Sequence, residues 1–530
     1  MLTRPVFQVS RKHAIAIATV AFVMASFFYL APTVAAGDYR HAAILSTYGL
    51  MGLATVLVLR DWRMGIIGFS IWIVFEDLIR KSLGGALIVY FVKDMLIAIT
   101  YLSYAVSGWL GRREKFNNPI AGPLLLCVGW ALVQCFNPNL TSAWVPIIGL
   151  RMTFFYVPMI YLGYSYVDSE KRLRNFGLLM LSVGLLVSVG GILQSIWGLQ
   201  FLNPETPAEV FRLYAARYSA VTGLEVPRIS SVFVDPGRYS NYVLLLFFVG
   251  LGLLGLLYAA KERRFLSLIR FWSWICWIGA SIGLYVSGQW ATFIWVALTV
   301  FALLVDQALS FLRRGRGASV RTSRLLVRLG VAVALGVGVA LLFFPERFTA
   351  AYHVYLESLN PARSGAEVTT RPGGYWRGTV EAFNLLGHGT GSASLGLQYI
   401  SLLDPRAKIP PPAVEGGYAA VLWEWGVVGL VVWLWWTIRL LQMLWVATTK
   451  VAGSPYHMYG FSALLYTFFI LFAWFFLGLQ PYQNYITQAY LWFLAGLAFK
   501  LPQLARTQAE SVARPRGRTA KRGERGPYER

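Results

Sequence analysis

Runs of about twenty apolar residues begin near Ala14, Ala42, Met64, Leu87, Ile120, Trp144, Phe176, Tyr242, Phe265, Trp290, Leu325, Tyr418, Met458 and Ala489. Each approaches the length of a helix that crosses a hydrocarbon layer about 30 Å thick, those at Met64 and Ala489 being somewhat short. The pattern predicts an all-α integral membrane protein with about fourteen transmembrane helices. Polar linkers between the runs sort by charge. Arg11-Lys12, Arg60/Arg63, Arg112-Arg113/Lys115, Lys171-Arg172/Arg174, Lys261/Arg263-Arg264 and the Arg313 to Arg328 cluster fall in alternate loops, which the positive-inside rule assigns to the cytoplasm together with both termini. The first run is expected to be an uncleaved anchor: Val34-Ala35-Ala36 resembles a cleavage site, but the apolar stretch is long for a signal peptide.

Composition supports this reading. The chain is 57 % hydrophobic and 13 % charged, whereas soluble domains run at roughly 45–50 % and 25 %. An ordinary soluble enzyme is excluded. The 47 Lys and Arg against 24 Asp and Glu leave a net charge of +23, which the cytoplasmic loops explain without nucleic acid. The three cysteines, Cys127, Cys135 and Cys276, and the five scattered histidines lack metal-ligand spacing. Residues 1–500 read as one polytopic membrane domain, with outward loops at about 199–239 and 345–417, the latter large and partly helical near Tyr375 to Leu386. Residues 501–530, polar and arginine-rich, read as a disordered cytoplasmic tail facing membrane lipids.

Charges inside the apolar runs are the most informative positions, because an unpaired charge in hydrocarbon costs several kcal/mol. Lys93, Asp94, Arg151 and Glu424 each fall about two helical turns below the outward surface. They are expected to form one polar layer, either pinning helices together or flooring an outward cavity. The outward loops carry Arg212, Arg217, Arg228, Arg238, Arg347, Arg363, Arg371, Arg377 and Arg406, against the charge rule. Guanidinium groups bind phosphate through a planar fork at any relevant pH, so the cluster suits a phosphate or pyrophosphate lipid head. Gly387-His388-Gly389-Thr390-Gly391 has the look of a phosphate-cradling turn but lacks the P-loop Lys-Ser/Thr. It reads as an anion nest or as a simple turn, with His388 a weak candidate base. Glu415, before Gly416-Gly417-Tyr418 where the long loop returns to the membrane, is a candidate general base or a solvated carboxylate.

Three segments occur in order: Arg228-Ile-Ser-Ser-Val-Phe-Val-Asp-Pro-Gly-Arg238-Tyr; Arg371 to Trp376 running into Leu386-Gly-His-Gly-Thr-Gly391; and Glu415-Gly-Gly-Tyr418 with Glu424-Trp-Gly-Val-Val-Gly429. Together they resemble the O-antigen ligase and Wzy-type polymerase superfamily. Glu76-Asp-Leu-Ile-Arg80-Lys81 followed by Lys93-Asp94 also resembles a signature of bacterial polysaccharide polymerases. The resemblance implies an inner-membrane glycosyltransferase that takes glycan from an undecaprenyl-pyrophosphate carrier at the periplasmic face, with neither metal nor cofactor, and names other polysaccharide-assembly proteins as candidate partners. It implies Arg371 as a catalytic group; Glu415, a candidate base by its own placement, stands where ligases carry the histidine, and either replaces it as base or does no proton transfer. Arg228, Arg238, Arg151, Arg377 and Tyr418 would bind substrate.

Ligases of this superfamily carry His-Asn where this chain has Glu415-Gly416, and Ser-Arg where it has Ser287-Gly288. These departures favour the polymerase branch, whose acceptor is a second lipid-linked repeat unit, over a ligase that transfers finished glycan to another lipid or protein. A transporter or flippase of lipid-linked sugars, using Lys93, Asp94, Arg151 and Glu424 as its pathway, is the expectation from another class.

Overall fold

The computed structural model describes residues 39–306, apart from 86, 112–114, 207–210, 219–222, 224, 260–263 and 290–294. It further describes 330, 353, 383–400, 404, 414, 416–477 and 480–513. The runs at Ala14 and Leu325 lie outside the described residues. The others form α1 (Tyr39–Arg60), α2 (Trp62–Ser82), α3 (Leu87–Trp109), α4 (Ala121–Val133), α5 (Trp144–Phe154), α6 (Met159–Tyr166), α7 (Glu170–Trp197), α8 (Pro236–Ala259), α9 (Arg264–Val286), α10 (Trp295–Asp306), α11 (Gly417–Lys450), α12 (His457–Phe468) and α13 (Tyr485–Ala513). Among the described residues the only strands are a short antiparallel pair, β1 (Ala216–Tyr218) with β2 (Glu225–Pro227). Among the described residues seven helical segments are long and apolar enough to cross a membrane, counting α5 and α6 as one and α12 with its continuation to Phe476 as another. Ile44–Arg60, Ala121–Phe136 and Trp295–Asp306 are shorter apolar helices.

Helix ends follow local chemistry. Asp61 caps α2 by accepting from the Arg63 amide at 3.0 Å, and Ser169 caps α7 through the Arg172 amide at 3.3 Å. Each satisfies an amide that the first helical turn leaves over. α7 stops at Gly198, whose φ of +99° suits a residue without Cβ. Contacts between turns define two ends of the bundle. At the basic end Arg63 approaches Asp168, and Gln508 reaches Glu170. At the other end Lys81, Asn203, Ser231, Arg238 and Tyr485 converge.

α13 lies at the centre, its upper half buried against α6, α8, α11 and α12. It meets α6 at backbone distance through two glycines. A Cβ on Gly163 would sit 2.0 Å from the Phe493 carbonyl oxygen, and one on Gly496 would sit 1.9 Å from that of Ile160. Small residues allow such contact where lipid supplies no competing hydrophobic drive. α13 also continues to Ala513, past Leu501 where a disordered tail is expected. Leu501 and Leu504 remain buried and the following Ala, Gln, Arg and Glu are good helix formers, so the polar composition ends the apolar stretch and not the helix.

Two of the described spans are broken. Between α5 and α6 the chain turns irregularly through 155–158, and side chains from neighbours take up the released carbonyls. Gln488 donates to Met152 and Thr153, Tyr482 to Thr153 and Tyr101 to Phe155. In α11 the break is at Gly426, with φ of +67°, where a Cβ would meet the Leu385 carbonyl oxygen at 2.3 Å. Non-helical backbone at membrane depth is tolerated where protein groups satisfy it in this way.

Candidate functional site

The site forms where the ends of α2, α3, α5, α8 and α13 meet, opposite the basic end. α2 contributes Glu76, Asp77, Arg80 and Lys81, all at most 1 % exposed. Their spacing puts Glu76 with Arg80, and Asp77 with Lys81, one turn apart on the inner side of the helix. α3 supplies Tyr90, Lys93 and Asp94, α5 supplies Arg151, and α13 supplies Tyr485.

Asp77 is the hub. Nη1 of Arg238 bridges both its oxygens at 2.9 and 2.8 Å, while the Tyr485 hydroxyl and the Val234 amide donate to Oδ2 at 3.2 and 3.3 Å. The Arg238 guanidinium also lies 5.0 Å from the Tyr485 ring centroid. Lys93 pairs with Glu76 at 2.8 Å, both side chains fully buried, and its ammonium lies 3.2 Å from the Tyr90 ring centroid and 4.5 Å from that of Tyr485. Arg151 contacts Asp94 Oδ2 through Nε at 3.0 Å and through Nη2, while the Tyr156 hydroxyl donates to Oδ1 at 2.7 Å. These pairs carry the extra hydrogen bonds that buried ions need. Among the described residues Arg80, Lys81, Lys93, Arg151 and Arg238 pack around three carboxylates, Glu76, Asp77 and Asp94, so the cations are in excess.

The segment between Arg228 and Tyr239 is shaped to deliver Arg238. Ser231 adopts φ of +50°, a conformation that costs a non-glycine residue about 1–3 kcal/mol unless its surroundings impose it. Gln194 accepts from the Ser230 and Ser231 amides at 3.2 and 2.7 Å, and Lys81 donates to the Ser231 carbonyl at 2.5 Å and to Asn203 at 2.8 Å. Asp235 then caps α8 by accepting from the Gly237 and Arg238 amides at 2.7 and 3.3 Å. The side chain of Arg238 is thereby fixed in the first turn, pointing at Asp77. Arg228 is half-buried, and its amide donates to the Ala215 carbonyl at 2.8 Å. A Cβ on Gly288 would lie 3.7 Å from its Cα, so the Ser287-Gly288 turn packs on it.

Of the residues expected to share one polar layer, Lys93, Asp94 and Arg151 do so, with Glu76 and Asp77 as additional partners. Glu424 does not. Its carboxylate accepts from the Ala393 amide at 3.0 Å and faces that of Gly391, and its carbonyl accepts from Gly389 at 2.9 Å. The glycine-rich turn is correspondingly a clasp around the α11 break and offers no anion nest. The His388 and Thr390 amides donate to the carbonyls of Trp423 and Gln134 at 2.8 and 3.2 Å, and Thr390 Oγ1 donates to Ala131 at 2.6 Å. His388 stacks on Trp423 with centroids 4.0 Å apart. Phe383 to Leu386 is irregular, not the end of a helix, because Asn384 Oδ1 accepts from the Leu386 and Gly387 amides in place of helical bonding. Tyr418 donates to the Leu471 carbonyl at 3.1 Å and meets Phe475 edge-on.

Arg371, Arg377 and Glu415 lie outside the described residues. Among the described residues no group of three His, Cys, Asp or Glu is arranged to hold a metal. Sequence reasoning gave no role to Asp77, Arg80, Lys81 or Tyr485. The signal for the first three was present: Glu76, Asp77, Arg80 and Lys81 put four charges into the end of an otherwise apolar helix. Tyr485 had none, since an aromatic at a helix start is commonplace. No protein-family model and no curated protein matches this chain.

Proposed function

We propose that this protein is a polysaccharide polymerase of the cell envelope, an inner-membrane enzyme of about fourteen spans with both termini in the cytoplasm. It transfers glycan from undecaprenyl pyrophosphate to a lipid-linked acceptor repeat unit at the periplasmic face. The observation that carries this reading is the cation-rich, aromatic-walled cluster at the end of the bundle opposite the basic turns, where Arg238 and Arg151 lie together with Arg80, Lys81 and Lys93. An excess of fixed positive charge beside tyrosine rings suits a pyrophosphate leaving group and the sugar attached to it. In this account Glu415 accepts the proton of the acceptor hydroxyl, the hydroxyl oxygen bonds to the anomeric carbon, and the bond from that carbon to the pyrophosphate oxygen breaks. Arg371, with Arg228, Arg377, Arg238 and Arg151, stabilises the charge left on the carrier. Asp77 and Asp94 hold two of these arginines in place.

A transporter of lipid-linked sugars is the second reading, favoured by the broken α5–α6 span beside the charges, since transport sites often use discontinuous helices. Glycan length separates the two. Proteoliposomes supplied with undecaprenyl-pyrophosphate repeat units yield longer lipid-linked glycans from a polymerase, whereas a transporter moves units of unchanged length.

A further inference from the structure

Arg80 differs from every other cation of the cluster. Arg238 is taken by Asp77, Arg151 by Asp94 and Lys93 by Glu76, and Lys81 donates to Ser231 and Asn203. Arg80 is 1 % exposed, yet among the described residues its Nε and Nη1 have no hydrogen-bond partner. The carboxylate that feels its charge, Asp77, is already occupied by Arg238, Tyr485 and Val234. The Tyr90 and Phe211 ring centroids lie 4.9 and 5.0 Å from the Arg80 guanidinium carbon, fixing its plane and supplying no acceptor. Phe211 comes from the long segment after α7, where it packs with Leu213 and Val234. A buried guanidinium with donors unused on two edges is costly to maintain as pure architecture.

We infer that Arg80 is a direct contact for the phosphate of a phosphate-bearing ligand, entering beside the part-exposed Arg151 and Arg238. The inference rests on the proposed reading of the cluster as a carrier site and adds to it a residue on α2 that is not one of the outward-loop arginines. Arg151 and Arg238, each held by its own carboxylate, keep part-exposed edges toward the ligand, and Arg80 adds a fork that no carboxylate among the described residues engages. A planar fork meets phosphate oxygens in pairs, which an ammonium cannot do.

The test compares full-length wild type, Arg80→Gln and Arg80→Lys in lipid nanodiscs, with undecaprenyl pyrophosphate and with inorganic pyrophosphate as separate probes. Affinity and melting temperature are both recorded. Wild type is expected to bind the lipid probe, and to bind the inorganic probe as well if the head group alone suffices. Arg80→Gln should weaken binding by about 10–100-fold, the equivalent of losing charge-assisted hydrogen bonds, and Arg80→Lys should recover little of it. Without probe, Arg80→Gln should melt no lower than wild type, because an unpaired buried charge has been removed. Wild-type affinity in Arg80→Gln would overturn the inference, as would no binding of either probe by wild type. A lowered melting temperature with unchanged affinity would make Arg80 a structural counter-ion of Asp77. Glycan extension is a separate readout: its absence while binding still depends on Arg80 would reject the polymerase and leave the anion contact standing.

Discussion

Severing the pair between Asp77 and Arg238 tests whether the cluster is a preorganised site or a chance meeting of charges. Asp77 is fully buried and the Arg238 side chain is 17 % exposed. In Asp77→Leu the guanidinium, the Val234 amide and the Tyr485 hydroxyl all lose their common acceptor. In Arg238→Leu a carboxylate without solvent access keeps only the two neutral donors. Breaking one side of a buried pair costs about 3–5 kcal/mol, most of it the desolvation of the partner left behind. The double variant Asp77→Leu/Arg238→Leu leaves no stranded charge in the pair, so it should be more stable than either single variant. The coupling should reach at least about 2 kcal/mol, near the top of the usual range for contacting residues. Unfolding midpoints in mixed micelles titrated with sodium dodecyl sulfate give all four corners of the cycle. Destabilisations that simply add, with the double variant the least stable, would refute the reasoning and reduce the contact to a weak surface-like pair.

Three further outcomes follow from the geometry. Gly496→Val places atoms where the Ile160 carbonyl now lies 1.9 Å from an added Cβ. It should destabilise the α6–α13 contact by 1–3 kcal/mol or more in the same titration, while Gly129→Val, which meets nothing within 4 Å, should be near neutral. Cys135 is half-buried at the site end of the bundle, whereas Cys127 and Cys276 are each 1 % exposed. A membrane-impermeant maleimide applied to spheroplasts should therefore label the protein, and Cys135→Ser should abolish the label. Labelling seen only in inverted vesicles would reverse the proposed sidedness. Glu424→Leu strands the Ala393 amide and should cost about 1–3 kcal/mol, with weaker protection from proteolysis at the 387–394 clasp as the sign that the loop has come loose.

Hydrophobic runs made most of the helices legible, because a span must be about twenty apolar residues long whatever its neighbours are. The places where reading failed are those where partners come from afar. Glu424 and Arg151 look alike in sequence, each a lone charge in an apolar run, yet one meets backbone amides of the 387–394 turn and the other meets Asp94. The glycine-rich turn carries the composition of an anion nest, but its amides are claimed by Trp423, Glu424 and Gln134, which only packing reveals. Arg238 could be singled out in sequence from the Arg228 to Tyr239 segment, whereas its fixing by Asp77 depends on a residue on α2. Helix α13 outran its apolar stretch because helix propensity and two buried leucines carried it on.

The central claim is that carrier-linked repeat units are joined at this cluster. The most direct measurement is a gel of lipid-linked glycans after purified protein in lipid has been incubated with undecaprenyl-pyrophosphate repeat units, for wild type, Arg371→Ala and Glu415→Ala. The account predicts a ladder of lengthened glycans from wild type and none from either variant, with all three proteins equally present in the membrane. Units left unextended by a wild-type protein that binds them, or a normal ladder from Arg371→Ala, would contradict it.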